Sequence, residues 1–214
     1  LREKGRVVVD TPRNREALRF MRDLIHLQRV SPPNTFTEMT EEETRGAFQR
    51  GDALFERNWP YAWALHQAPD SPVRGVTGIA RMPSFRGKES VSTLGGWHAG
   101  ISRYSDAKEE ARTFLCFLVS YETQKRLARK LGWNPGRRDV YRDPEVVAAL
   151  PHLTQLEAVF ERAVPRPVLP YYPRISEILQ RHLNAALANR ADPGMALAAA
   201  QKEIDRIVSR YGQR

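Results

Sequence analysis

Four of the ten residues in VPRPVLPYYP (164–173) are proline. Each proline removes a backbone donor and holds φ near −65°, so neither a helix interior nor a central strand can run through this stretch. It must be an extended connector, and the chain divides around it. Behind it lie two long helical patterns, at about 174–189 and 194–211, the second carrying Leu197, Ile204, Ile207 and Val208. In front of it, short β-branched or apolar runs alternate with helical patterns. RVVVD (6–10) reads as a strand; Thr11 and Pro12 then supply an N-cap and a first helical residue. The helix they open bears Ala17, Leu18, Met21, Leu24 and Ile25 and runs to about Leu27. Thr40 with Glu43 makes a capping-box pattern ahead of a short helix with Ala47 and Phe48. ALFERN (53–58), GVTGIARM (75–82) and VSTLGGWHAGIS (91–102) read as further strands, with PSFRGKES as a loop. A long helix starts at Ser105 or Asp106, breaks near Ser120–Tyr121 and resumes to Leu131; 144–149 and 153–162 are also helical. Strands separated by helices predict an α/β protein in which helices dominate.

At 214 residues the chain can bury one substantial core or two small ones. Its single cysteine, Cys116, lies in RTFLCFLVS on an apolar helix face, where a buried, inert thiol is expected. The net charge of +9 suggests an anionic partner, but the basic residues are interleaved with acids, as in DAKEEARTF and QKEIDRIVSR. Such runs read as solvated helix faces rather than as a track for phosphates. No apolar run reaches the roughly 18–20 residues that span a bilayer. The chain opens on Leu1 with nothing resembling a signal peptide, so a mature or truncated product is expected.

Reaction chemistry has no foothold in the motifs. The five histidines, 26, 66, 98, 152 and 182, form no HxxxH or HExxH pair, and GxSxG, GxxxxGK[ST] and GxGxxG are all missing. The EEE run at 41–43 opens a helix, where the helix dipole already favours acids. No catalytic residue, metal or cofactor is expected, and a binding protein is favoured over an enzyme. A carbohydrate-active enzyme would need two carboxylates facing across a sugar site; no acid is expected beside the aromatic clusters.

Those clusters are NWPYAW (58–63), LGGWHAGIS (94–102) and RPVLPYYP (166–173). Each adjoins glycine or proline at the end of a strand or loop. A sugar ring has an apolar C–H face and a rim of hydroxyls, so it needs an aromatic plate together with planar polar groups or backbone amides. Base stacking uses the same plates but also needs cations for phosphate. A nucleic-acid-binding module is therefore the second reading, and a sugar binder the first.

FQRGDALFERNWPYAW, GVTGIARMPSF, STLGGWHAGISRYS, YETQKRLARKLGWNPGRRDVYRDPEV and AVPRPVLPYYPRISEIL together resemble the second half of bacterial extracellular sugar-binding proteins of ABC importers. The similarity is greatest to trehalose/maltose-binding and related α-glucoside-binding proteins. It covers almost the whole chain, with the motifs in the same order and spacing. It implies a two-lobed, type II periplasmic-binding-protein fold of the α/β class, here mainly the second lobe plus a segment of the first. By that resemblance 1–94 and 144–214 belong to the second lobe, and 95–143 holds a hinge crossing and a first-lobe segment. The front half of the first lobe, with its hydroxyl-binding acids, lies outside this chain. Residue by residue, the resemblance implies Trp59 and Tyr61 as sugar platforms, Trp97 as a stacking ring, Gly95 and Gly96 as cleft backbone, and Arg166 as a polar ligand. Trp63 and Trp133 are expected to pack, Asn58 and His98 to support the structure, and Tyr171 and Tyr172 to face either core or cleft. The implied partners are an α-linked disaccharide or small oligosaccharide, the ABC permease and the N-terminal half of the same protein, but no nucleic acid. The implied location is extracytoplasmic.

Overall fold

The computed structural model describes residues 2–3 and 6–212. The chain separates into two compact units, residues 1–40 with 167–214 and residues 41–166.

In the first unit β1 (Arg2–Glu3) pairs antiparallel with β2 (Arg6–Val7). RVVVD continues as extended chain with Val7 and Val9 buried, the alternation expected of a strand. Among the described residues, no neighbouring strand pairs with its backbone beyond Val7. The Gln201 amide does so instead, donating Nε2–H to the Val7 carbonyl (3.0 Å) and accepting the Val9 N–H (2.7 Å). Helix α1 (Pro12–His26) starts as its sequence dictates, with the Thr11 hydroxyl accepting the Asn14 N–H. After the proline connector the unit is completed by α8 (Tyr172–Leu187) and α9 (Pro193–Gly212). The turn between them places Asn189 at φ 58° and ends at Asp192, whose carboxylate caps α9 through the N–H groups of Gly194 and Met195. Two apolar clusters hold these helices together. One joins Val7, Val9, Ile175, Ile178, Ala200 and Ile204, and the other joins Leu18 and Ile25 of α1 to Ala186, Leu187, Ala196 and Leu197. Tyr171, which the sequence left between core and cleft, packs on the first cluster and stacks on Tyr211 at 5.2 Å.

The second unit contains α2 (Glu41–Gln49), α3 (Ala62–His66), β3 (Thr93–Leu94), α4 (Lys108–Leu118), α5 (Tyr121–Leu131), a 3-10 turn (Val140–Arg142), α6 (Pro144–Ala149), α7 (Leu153–Glu161) and β4 (Val164–Pro165). Its core is Ala128, Val140, Val146, Leu150, Leu153 and Leu156, with Trp63 and Tyr121 packed against it. Asp143 anchors this packing. Buried at the start of α6, it accepts from the N–H groups of Glu145 and Val146, from Lys125 Nζ and from the Tyr121 hydroxyl. The Tyr121 bond is the largest of the effects holding its carboxyl well below the usual range. Gly132 ends α5 at φ 66°, where its backbone presses on Ala64 of α3.

Three strand expectations are corrected here. Residues 53–58 and 75–82 form no ladder, and of 91–102 only Thr93–Leu94 pairs, parallel to Val164–Pro165. An apolar run becomes a strand only when a partner occupies its backbone; among the described residues 53–58 and 75–82 find none, and 91–102 finds one only at Thr93–Leu94. Cys116 is also corrected: it is exposed, because no residue of α4 is buried. The apolar stripe of Phe114, Leu115 and Leu118 names a face that needs covering, but the covering element is not among the described residues of this unit. Trp133 likewise stands half exposed rather than packed. Among the described residues, no helix is long and apolar enough to cross a membrane.

Candidate sugar-binding surface

NWPYAW is held in place from both ends. Upstream, Glu56 hydrogen-bonds His66, whose buried ring lies 5.1 Å from that of Phe48. Asn58 accepts the Trp59 N–H at 2.7 Å and donates Nδ2–H to the Glu41 carbonyl at 2.9 Å, which gives it the supporting role expected. Pro60 then starts overlapping tight turns, Ala62 N–H to Trp59 O and Trp63 N–H to Pro60 O, both 3.1 Å. This turn sorts the aromatics. Trp63 points inward onto the core, its ring 5.0 Å from that of His152, as expected. Trp59 and Tyr61 stay at the surface, with Trp59 43% exposed.

Each outer ring is tied by its polar atom to the first turn of α2. Trp59 Nε1–H donates to Glu41 Oε1 at 2.9 Å, and the Tyr61 hydroxyl donates to Glu42 Oε1 at 2.6 Å. The Glu41 carboxyl is held below its ordinary range chiefly by the indole N–H, and that of Glu42 by the Tyr61 hydroxyl and then by Arg45. The same bond, with burial second, pushes the Tyr61 hydroxyl up to about 12. At neutral pH the phenol therefore stays protonated and donates to an ionised carboxylate. The expectation that no acid adjoins the aromatic clusters is thereby corrected. The two acids sit side by side on one helical turn and hold rings; they do not face each other across a gap.

The far edge of the Trp59 indole rests on Gly95. A methyl group at position 95 would lie 2.6 Å from Cη2 and 2.9 Å from Cζ3, so only a glycine admits the ring. The parallel pairing of Thr93 with Val164 and of Leu94 with Pro165 brings the other segments to the same place. The residues that follow the last pair are Gly95 on one strand and Arg166 on the other. Trp59, Tyr61, Gly95 and Arg166 are thus drawn together by the fold of one unit. Gly96 and Trp97 extend from them into the open; Trp97 is fully exposed and Gly96 has open space on its Cβ side. Arg166 and His98 are exposed. A half-exposed indole face beside glycine backbone makes a surface suited to the apolar face of a polyhydroxylated ring. Among the described residues, no group of three His, Cys, Asp or Glu side chains is placed to hold a metal ion.

Sequence reasoning missed Glu41 and Glu42, reading them only as helix-opening acids. Their partners lie 18 and 19 residues away, beyond any local pattern; the one available signal was three acids ahead of rings bearing an N–H and an O–H.

Residues 1–125 match the family described as bacterial extracellular solute-binding protein. The chain belongs to that family. It is 33% identical over 209 residues, 96% of its length, to the "Probable ABC transporter-binding protein" of Deinococcus radiodurans, of which it covers 49%. Among solved structures it superposes on T. maritima MalE3 with maltose bound at a TM-score of 0.92 and 40% identity, covering 97% of this chain and 53% of that one. A solute-binding protein from Agrobacterium radiobacter K84, solved in complex with ribitol, matches at a TM-score of 0.85 and 28% identity, covering 97% and 52%. The fold is therefore periplasmic-binding-protein-like, and these relatives are binding components rather than enzymes. The chain spans about half the length of the relatives it matches.

Proposed function

We propose that this chain, together with polypeptide equivalent to the other half of its relatives, is the extracytoplasmic solute-binding component of a carbohydrate ABC importer. Its ligand is an α-linked disaccharide of the trehalose, maltose or sucrose type, which it delivers to the permease. Residues 1–94 and 144–214 belong to the second lobe, and 95–143 supplies a crossing and a first-lobe segment. Trp59, Tyr61 and Trp97 stack on the pyranose rings, Arg166 donates to hydroxyls, and the backbone of Gly95 and Gly96 lines the site. Closure of the two lobes of the whole protein excludes water and presents the closed form to the membrane subunits. Selectivity comes from the hydroxyl contacts, because a buried polar group left unmatched costs about 1–3 kcal/mol.

The observation that carries this reading is the seating of Trp59 on Gly95, which directly follows the strand pair that Arg166 also follows, beside the 40% identity to a protein solved with maltose. The exposed α4 face, with Phe114 and Phe117 about 60% exposed, supports the need for further polypeptide. The test is a tryptophan-fluorescence titration with maltose, trehalose, sucrose and glucose at low and high salt. It is run on this chain alone and on the chain joined to the other half. A saturable, salt-insensitive response in the joined protein is expected. No response to any sugar in either form would overturn the ligand class, and a salt-sensitive response to DNA would replace it.

A further inference from the structure

The first turn of α2 does more than begin a helix. Its acids are favoured there by the helix dipole whichever way their side chains point. Yet two consecutive carboxylates reach the two rings that flank Pro60, one to each. We propose that Glu41 and Glu42 are positioning residues that hold Trp59 and Tyr61 as preset platforms for the sugar. This role rests on the sugar-binding reading above. The carboxylates bind nothing else in it; they act through the rings.

The geometry fits such a device. The indole is fixed at opposite corners, by Glu41 at Nε1 and by the Gly95 backbone at Cη2 and Cζ3, while its face remains open. Two fixed corners stop rotation of the ring about its stem without covering the surface a pyranose needs. Tyr61 is held by Glu42, and Glu42 is braced in turn by Arg45, whose Nη2 and Nε lie 2.5 and 3.1 Å from Oε2. Further along α2, Arg45 Nη1 holds Gln49 Oε1 at 2.8 Å, and Gln49 Nε2 donates to the Leu65 carbonyl at 3.2 Å. With the Asn58 bond to the Glu41 carbonyl, the seam ties the helix to residues 58–65 along its length. Holding the rings in advance spares the ordering entropy that binding would otherwise consume. It also sets polarity. The Tyr61 proton is committed to Glu42, so a ligand hydroxyl that meets the phenolic oxygen must donate to it.

The experiment uses the protein carrying this chain together with its other half, as parent and as Glu41→Ala, Glu42→Ala and Glu42→Gln. Maltose affinity is measured by calorimetry. The Tyr61 ionisation is followed by ultraviolet difference absorbance against Tyr61→Phe, and the Trp59 indole N–H by NMR. Glu42→Ala is expected to weaken maltose binding about tenfold with unchanged far-UV circular dichroism, the loss of one charge-assisted hydrogen bond. It also lowers the Tyr61 ionisation from about 12 towards the ordinary 10. Glu42→Gln, which keeps an acceptor, restores most of the affinity but not the raised ionisation. Glu41→Ala shifts the Trp59 N–H resonance and lowers affinity similarly. If the ring signals move while affinity stays at the parent value, the seam is merely structural and the proposal is overturned. A parent protein that binds none of maltose, trehalose and sucrose refutes the sugar-binding reading itself, and this role falls with it.

Discussion

Replacing Gly95 with alanine tests whether the NWPYAW and LGGW segments form one surface. The added methyl would sit 2.6 Å from Trp59 Cη2, whereas carbon atoms settle at about 3.5–4.0 Å. The indole must therefore retreat by about 1 Å. Its N–H bond to Glu41 is 2.9 Å long, within the narrow range of about 2.7–3.2 Å in which such bonds are made, so a displacement of that size at the opposite corner of the ring spoils the bond's geometry. Losing that bond costs about 1 kcal/mol, and residual overlap costs about another 1 kcal/mol at this half-exposed site. A chain of this length loses about 2–4 °C of Tm per kcal/mol, so a fall of about 4–8 °C is expected. The Trp59 indole N–H resonance should shift, and maltose affinity in the joined protein should drop several-fold. Gly96→Ala is the control for packing, because its methyl meets nothing within 4 Å and should change neither Tm nor the resonance. If Gly95→Ala matches the control in Tm and resonance, the ring does not rest on Gly95, and the assembled surface is wrong.

Three further outcomes are expected. Trp97→Ala, which removes a fully exposed ring, should leave Tm within about 1 °C of the parent yet weaken sugar binding; unchanged affinity by calorimetry removes Trp97 from the site. Gly132→Ala forces a side chain into φ 66° and places a methyl 2.2 Å from Ala64 Cβ, so a loss of about 3 kcal/mol is expected in urea unfolding. A loss below about 1 kcal/mol would mean that α3 and α5 do not meet there. His152 is 4% exposed and its ring nitrogens have no partner among the described residues; burial lowers its pKa from 6.5 to about 4. The unfolded chain takes up a proton below pH 6.5 that the folded chain refuses until about pH 4, so stability falls with pH across that window. The loss reaches about 3 kcal/mol at most, and His152→Leu should flatten that part of the Tm profile.

What could be read from the sequence is local. Thr11 and Pro12 announced α1 because a cap is made by neighbours, here the Asn14 N–H three residues on. The break at Ser120–Tyr121 and the proline connector were legible for the same reason: the bonds that open, close or forbid a helix lie within about four residues. Helical periodicity also named the core face of α9, where Leu197 and Ile204 are buried. Strands were another matter. Residues 53–58 and 75–82 have strand-like composition, but a strand exists only if distant backbone pairs with it, and none does among the described residues. Where pairing occurs, Leu94 meets Pro165 across 71 residues, a register no local pattern encodes.

The candidate site divides in the same way. The resemblance could name Trp59, Tyr61, Gly95, Gly96, Trp97 and Arg166, because it compares like positions along a chain. Only the tertiary structure decided that Trp59 lies on Gly95, that Glu41 and Glu42 hold the rings, and that the apolar stripe of α4 with Cys116 stays exposed. A side chain's amphipathic spacing states which face seeks a partner. Whether that partner is present, and which atom it offers, depends on segments that contact one another in space but not along the chain.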